Sequence, residues 1–571
     1  MSNIMPSLLA EVNLLAPYIL LAGLCIAAVI SLCFSLNSSK PKVWRHITAL
    51  FSVLLFISLC VLLSGFTIDD TYISLRYARN LANGHGLTYT IGTERPVEGY
   101  TNFLWIILEA PLFLIGINDA SILHAVKLMG IAFGIGSIVV TRRLACQVGL
   151  SETAGLIAML FVSSVPFLAF WSIGGLETSM YIFFALAAVS ALLGEHESAK
   201  RHVLSYLLLT CMALTRPEGL FFSLVITPIV LVVLLPASRE NASWHIRLRA
   251  LVPGVVLFLV LYGTYFFWRW NYYGYLFPNT FYAKSASISL AHIIKRLREM
   301  YPLICYLVPV VTLALLAQPV VLQENPRQRL LVFVVFSILF AFAFASKREW
   351  MPGFRYVLPA VPFIICFAAV SLDAVFRQPT GSVRGIRSSI QMSLIALFVC
   401  SLLLFPVHQC RAENRYTDNL MYCHVALGKW LREYAPERAS YASWDMGAVP
   451  YFSHLPTIIE IHPEGLLSTH TTHVGYDVEY FLSLQPSFVA LPSRPAEPLS
   501  NHGGMLGFYS NQNFISNYQH LFTMVFRPDY SLEVYKRNEI RLSSAALTEG
   551  ERIARVSQDT SARSVTARLD E

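Results

Sequence analysis

A chain of 571 residues, 55% of them hydrophobic and only 13% charged, with a mean hydropathy of +0.55, lies outside the range of soluble globular proteins. Its net charge of +7 and pI near 8.8 come from Lys and Arg gathered in short loops between apolar runs. That pattern marks membrane topology and excludes a nucleic-acid footprint, so the chain reads as a polytopic α-helical membrane protein.

No basic segment precedes the first apolar run and no small-residue cleavage site follows it, so residues 14–36 are expected to stay as a membrane helix. A span needs roughly 20 apolar residues to cross about 30 Å of hydrocarbon. Runs of that kind fall near 14–36, 46–65, 119–141, 152–171, 178–194, 202–215, 218–236, 250–270, 301–318, 329–346, 354–376 and 388–407. With one more run at 101–117, interrupted by Glu109 and Pro111, this makes 12 to 13 membrane helices. Lys40, Lys42 and Arg45 mark a cytoplasmic loop, as do Arg142 with Arg143, Lys200 with Arg201, and Arg239 with Arg247 and Arg249. Arg327 with Arg329, and Arg377 with Arg384 and Arg387, mark two more. All agree only if 101–117 is a juxtamembrane or re-entrant helix.

Opposite those loops lie 66–105, SIGGLET (172–178), TRPEG (215–219), the aromatic loop 270–284, KREWMPGFR (347–355) and everything after about 406. An ionisable residue at membrane depth costs about 2.5–3.5 kcal/mol and usually lines a functional path. Glu177, Arg216, Glu218, Lys284, Glu349 and Arg355 are therefore expected to share one site on the extracytoplasmic side.

The 66–105 loop opens on two acids, Asp69 and Asp70. Thr67 with Asp70 suggests a capping box, which predicts a helix from Thr67 with Asp69, Ile73, Arg76 and Asn80 on one face. Asp69 reads either as a surface acid paired with Arg76 or as a general base in a partly dry pocket, where desolvation raises its pKa. Asp70 reads as a helix cap, or as an acid that orients Asp69 or holds a divalent cation. Glu98, Tyr100 and Asn102 form a turn with a cap, or touch substrate. Gly174 and Gly175 either end a helix or let backbone approach a ligand. Arg216-Pro217-Glu218 is an internal ion pair at a helix start, or offers Arg216 to a phosphate. Trp268, Trp270, Tyr272, Tyr273, Tyr275, Phe277, Phe281 and Tyr282 form an interfacial belt that also suits a lipid-borne sugar, with Asn279 and Lys284 as polar handles.

Eight of the ten cysteines sit in or beside apolar runs, and no CxxC or Cys/His metal spacing occurs. Cys410 and Cys423 share a polar region, where a disulfide stays open. From 408 to 540 the pattern changes to that of a small α/β domain, with a helix at 421–434, strands at 439–443, 457–461 and 488–491, and a loop at 444–447. Asp445, His462 and Glu464 there either shape loops or contact sugar. Residues 541–571 show no apolar period and are expected to be a disordered tail. The domain division is thus 1–45 (first helix and cytoplasmic loop), 46–407 (membrane domain), 408–540 and 541–571.

DDTYISLRYARNLANGHGL, VEGYTNFLW, GGLET, TRPEG, YYG with PNTFYAK, and WMPGFR, in that order, resemble the bacterial membrane glycosyltransferases of the GT-C class. Within it the chain most resembles the branch of the mycobacterial terminal β-1,2 arabinofuranosyltransferase, over roughly residues 60–380. The resemblance implies a GT-C fold in the bacterial inner membrane and a periplasmic active site. It also implies a polyprenyl-phosphate sugar donor, with arabinofuranose the sugar of that branch, and a glycan or lipid acceptor. The first acid of a D-[DE] pair is the catalytic residue of such enzymes, which points to Asp69. Where relatives often read G-D-W, this chain has Arg348-Glu349-Trp350, which puts the donor choice in doubt.

Transfer from a polyprenyl phosphate needs cations where negative charge grows and a base where the acceptor hydroxyl loses its proton. Arg216, Lys284 and Arg355 are the phosphate-binding candidates. Arg76, Glu98, Tyr100, Asn102, Glu177, Glu218, Asn279, Tyr282, Glu349 and Trp350 are the substrate-binding ones. The partners expected are the lipid-linked donor, the acceptor and membrane lipids, and the one cofactor left open is a divalent cation, Mg or Ca, at Asp70. A transporter or flippase of lipid-linked substrates, and a non-catalytic cell-envelope assembly protein, are the competing classes; inverted repeats would favour the transporter.

Overall fold

The computed structural model describes residues 4–37, 40–93, 95–193, 199–233, 244–284, 290–316, 326–345, 351–377, 384–494 and 506–569. The chain divides into two compact units: 1–65, 124–264 and 286–412 form the first, and 66–123, 265–285 and 413–571 the second.

The first unit is built of apolar helices. Each of the twelve predicted apolar runs is helical over most of its described residues, among them Pro41–Leu62, Ile122–Gly149, Thr178–Leu192, Pro217–Val233 and Val361–Arg377, and the run at 152–171 breaks into two helices. Among the described residues six helices are long and apolar enough to cross a membrane, or seven if the bent pair Glu152–Ser163 and Pro166–Ile173 is one span. The other apolar helices are shorter, at 10–17 residues. Small residues set the packing distance: a Cβ on Gly130 would lie 2.0 Å from the Ser172 carbonyl oxygen, and one on Gly134 2.4 Å from Phe56. Close backbone approach of this kind replaces the hydrophobic drive that lipid does not supply.

The run at 101–117 forms the helix Phe103–Leu114, whose 12 residues reach about 18 Å, short of a bilayer. It belongs to the second unit, which also contains the first polar loop, the aromatic loop and the C-terminal domain. A five-stranded sheet of order β2-β1-β3-β5-β4 forms the domain's centre. Its strands are β1 (Ser440–Ser443), β2 (Thr457–Glu460), β3 (Phe488–Ser493), β4 (Tyr518–Arg527) and β5 (Tyr530–Arg537). β1 pairs in parallel with β2 and β3, while β5 runs antiparallel to both β3 and β4. One core gathers Ala442, Ile461, Phe481, Val489, Leu491 and Phe514. The sequence predicts the first three strands and misses the β4–β5 hairpin.

Residues 541–571 do not form the expected disordered tail: a helix spans Ser544–Leu569. Its buried stripe consists of Ala546, Ile553, Ser557 and Ser561, in which Ile553 is the one large apolar residue, too few to register as an apolar period. Trp430 Nε1 donates to the Ala546 carbonyl at 2.9 Å, the Val525 amide donates to Ser557 Oγ at 3.0 Å, and Gly550 sits over Phe522.

Candidate active site

The helix after the paired acids begins at Thr71, four residues later than the capping-box pattern predicts. Thr67 is engaged elsewhere, its amide donating to Thr417 Oγ1 at 2.8 Å and its hydroxyl to the Phe66 carbonyl. Asp69 therefore precedes the helix instead of sharing a face with Arg76. Asp70 takes the cap position but makes no side-chain cap bond.

Asp69 is clasped by a loop that follows β1. The Gly447 amide donates to Oδ2 at 3.0 Å and the Ala448 amide to Oδ1 at 2.8 Å, at the start of the short helix Ala448–Ser453. Gly447 is required by the close approach: a Cβ there would lie 2.2 Å from both the backbone oxygen and Oδ2 of Asp69. The same loop carries Asp445, whose Oδ2 is 2.9 Å from His424 Nε2 and accepts the Tyr530 hydroxyl at 2.8 Å. Tyr89 donates its hydroxyl to the Met446 carbonyl. Burial pushes the Asp69 carboxyl up to about 6; the His424 imidazole opposes this, Asp445 adds to it, and the Ala448 amide opposes it. Burial also acts on Asp445, yet its bond to His424 holds it below the ordinary carboxylate range. For His424, burial pulls downward, and the neighbouring Cys423 and Asp445 more than reverse it. Each Asp69 oxygen accepts one amide and keeps a further lone pair, so the carboxylate can still take a proton.

Arg76 is not the partner of Asp69. Its guanidinium, 1% exposed, donates to the carbonyls of Tyr89 at 2.8 Å, Pro450 at 2.6 Å and Leu455 at 2.7 Å. Glu98 is buried and accepts from Arg269 Nε at 2.8 and 2.9 Å, which pulls against the burial that pushes its carboxyl up to about 7. Tyr100 bonds Tyr273 at 2.9 Å, and Asn102 donates to Ser74 at 2.9 Å. The Asn279 amide donates to the Glu98 carbonyl at 3.3 Å, and Tyr282 packs on His473. Arg76, Glu98, Tyr100 and Asn102, candidates for substrate contact, are buried and bonded within the second unit. Lys284 ends the helix Asn279–Lys284. Its side chain, and all of Glu349 and Trp350, lie outside the described residues.

A separate cluster forms inside the first unit. Gly175, at φ +89°, turns the chain into the helix Thr178–Leu192, with Glu177 at its cap position. Glu177 Oε1 accepts Arg216 Nη1 at 2.7 Å and also Arg355 Nη2. Arg216 reaches back to Glu218 through Nη2 at 2.8 Å, and Arg355 Nε donates to Thr178 Oγ1 at 3.1 Å. Arg355 is aimed by the turn before it: Gly353 has φ +79°, and its carbonyl accepts the Trp171 indole at 3.0 Å. Thr178, Arg216, Glu218 and Arg355 line a small cleft, with Tyr181, Tyr356 and Pro359 on its wall. The Tyr181 hydroxyl there is buried without a hydrogen-bond partner among the described residues. Glu177, Arg216, Glu218 and Arg355, expected to share a site, thus meet within the first unit, while Asp69 and Asp70 belong to the second.

Sequence reasoning does not single out His424, Tyr530, Gly447 or Tyr181. The glycine after Trp444-Asp445-Met446 was the available signal, since glycine in a loop between polar residues often marks close approach. Among the described residues no three His, Cys, Asp or Glu side chains group to hold a metal ion.

Residues 408–535 match the model of a family described as a domain of unknown function, DUF8728. No curated protein sequence matches the chain. Among solved structures, ArnT from Cupriavidus metallidurans in the apo state aligns with TM-score 0.55 and 14% identity, over 85% of this chain and 97% of that one. The same protein bound to undecaprenyl phosphate gives TM-score 0.55 and 14% identity, over 87% and 98%. The apo oligosaccharyltransferase of Archaeoglobus fulgidus gives TM-score 0.52 and 13% identity, over 86% and 74%. The chain has the GT-C fold: it is a polytopic membrane protein with a C-terminal α/β domain.

Proposed function

We propose that the protein is a membrane glycosyltransferase that moves one sugar from a polyprenyl-phosphate donor to an extracytoplasmic glycan or lipid, with Asp69 as general base. In this reaction the acceptor hydroxyl gives its proton to the Asp69 carboxylate while its oxygen bonds the anomeric carbon. The bond from that carbon to the phosphate oxygen breaks, and its electron pair leaves on polyprenyl phosphate. Arg216 and Arg355 answer the charge that grows on the leaving phosphate, Arg355 with the planar fork suited to bidentate contact. Lys284, Glu349 and Trp350 remain candidates for donor binding, and arabinofuranose for the sugar, on the resemblance of the motifs. The observation that carries the reading is a desolvated carboxylate at the head of the first polar loop, its pKa raised to about 6, in a GT-C fold.

Arg216 and Arg355 on one Glu177 oxygen support the phosphate assignment, since an incoming phosphate can replace a shared carboxylate. The likeness to ArnT bound to undecaprenyl phosphate supports a donor of that chemistry. The test incubates purified protein with a panel of polyprenyl-phosphate sugars and follows release of polyprenyl phosphate. Asp69→Asn is expected to lose about 10²–10⁴ of the turnover while keeping its fold, the range a positioned base supplies. Normal transfer by that variant would remove Asp69 from the chemistry.

A further inference from the structure

Asp69, Asp445 and His424 form a chain of titratable groups that the reaction above uses at one end only. His424 lies on a π-helical turn, Met421–Val425, inserted between the helices Asn414–Leu420 and Ala426–Tyr434. Such turns are rare and gather at functional sites, because the wide turn re-aims a side chain. Here it brings a buried imidazole, 3% exposed, onto Asp445 at 2.9 Å. Asp445 is fixed from a second direction by Tyr530 at the start of β5. Two and three residues on, the same loop presents the Gly447 and Ala448 amides to Asp69.

We propose that His424, clamped by Asp445 and Tyr530, is a positioning residue for Asp69: it anchors the loop that clasps the carboxylate and sets that carboxylate's affinity for a proton. The inference rests on the reading of Asp69 as the base. The groups facing Asp69 bear out the sign. Tyr72, Tyr89, Tyr416 and Tyr441 all approach it as neutral phenols, their pKa values raised by burial. Asp70 and Asp445 favour protonation of Asp69, and His424 opposes it more strongly than either. Removing the imidazolium therefore makes Asp69 hold its proton to higher pH.

Labelling of Asp69 by dicyclohexylcarbodiimide, which reacts with the protonated carboxyl, measures this on the full-length protein without any turnover. Mass spectrometry of the Asp69 peptide across pH gives a midpoint, expected near 6 in the parent. His424→Gln is expected to move that midpoint upward by about one pH unit, and His424→Lys, which restores a cation, to bring it back. If His424→Gln does not fold, the smaller His424→Asn serves, which removes the same cation and is expected to move the midpoint the same way. Equal midpoints in the parent and in whichever of these two variants folds would overturn the proposal, whatever they do to thermal stability. A shifted midpoint alongside an Asp69→Asn variant that still transfers sugar would uphold the coupling and refute the base, so the two failures separate.

Discussion

Gly447→Ala tests the clasp directly. The added Cβ would lie 2.2 Å from the Asp69 backbone oxygen and from Oδ2, where contacts under about 3 Å do not persist. Relief demands a shift of roughly 1 Å, which carries amides now at 2.8 and 3.0 Å out of hydrogen-bond range. A hydrogen bond to a charged group contributes about 1.5–3 kcal/mol, so losing both, with water regaining part, predicts a destabilisation of about 2–4 kcal/mol. Melting followed by tryptophan fluorescence should show a midpoint lower by roughly 5–10 °C. The control is Gly263→Ala, a helical glycine with nothing within 4 Å of the added Cβ, where alanine should be neutral or mildly stabilising. Loss of the Ala448 amide also removes an interaction that lowers the Asp69 pKa, so the acid limb of turnover should move above its starting point near 6. Parental melting together with an unmoved acid limb would refute the clasp.

The remaining expectations concern pH, the donor pocket and the C-terminal helix. The base works as a carboxylate, so turnover should be full well above pH 6 and fall as pH drops through about 6; an acid limb near 4, the range of an exposed aspartate, would argue against a buried base. Tyr181→Phe should weaken donor affinity a few-fold without changing the acid limb, since that hydroxyl meets no described partner on the pocket wall. Arg355→Lys, which gives up the two-pronged contact, should weaken it further; direct binding of polyprenyl phosphate checks both. Gly550→Val should lower the melting midpoint of the second unit, because even a Cβ there would lie 2.4 Å from Phe522. Hydrogen exchange at Ser544–Leu569 reads whether the helix lifts off.

Much of the first unit was legible because a membrane helix must satisfy its backbone internally and turn apolar atoms outward, so length and hydropathy suffice. Glu177, Arg216, Glu218 and Arg355 stood out for a related reason: charges at membrane edges are rare, and the structure brings these four together. The second unit was harder. Arg76 looked like a helix-face partner for Asp69, yet besides Tyr89 its acceptors come from residues 450 and 455, hundreds of positions away. No local spacing encodes that. The same distance hid His424 from Asp69, whereas Asp445 was visible as a polar loop residue but not as a clamp. The helix Ser544–Leu569 escaped because, apart from Ile553, its inner face is alanine, serine and glycine, which bury well against Trp430 and Phe522 without reading as apolar.

The second unit is assembled from three stretches of chain that the ribosome makes at widely separated times. Arg76 leaves it 374 residues before the Pro450 carbonyl it will bind, and until then the donors meant for Pro450 and Leu455 have only water to satisfy them. A loop of this kind must wait for the C-terminal segment before its buried donors find all their acceptors. Quality control thus has a single late checkpoint: a nascent protein truncated before residue 440 should carry an early loop open to proteases, and only a completed chain should close it.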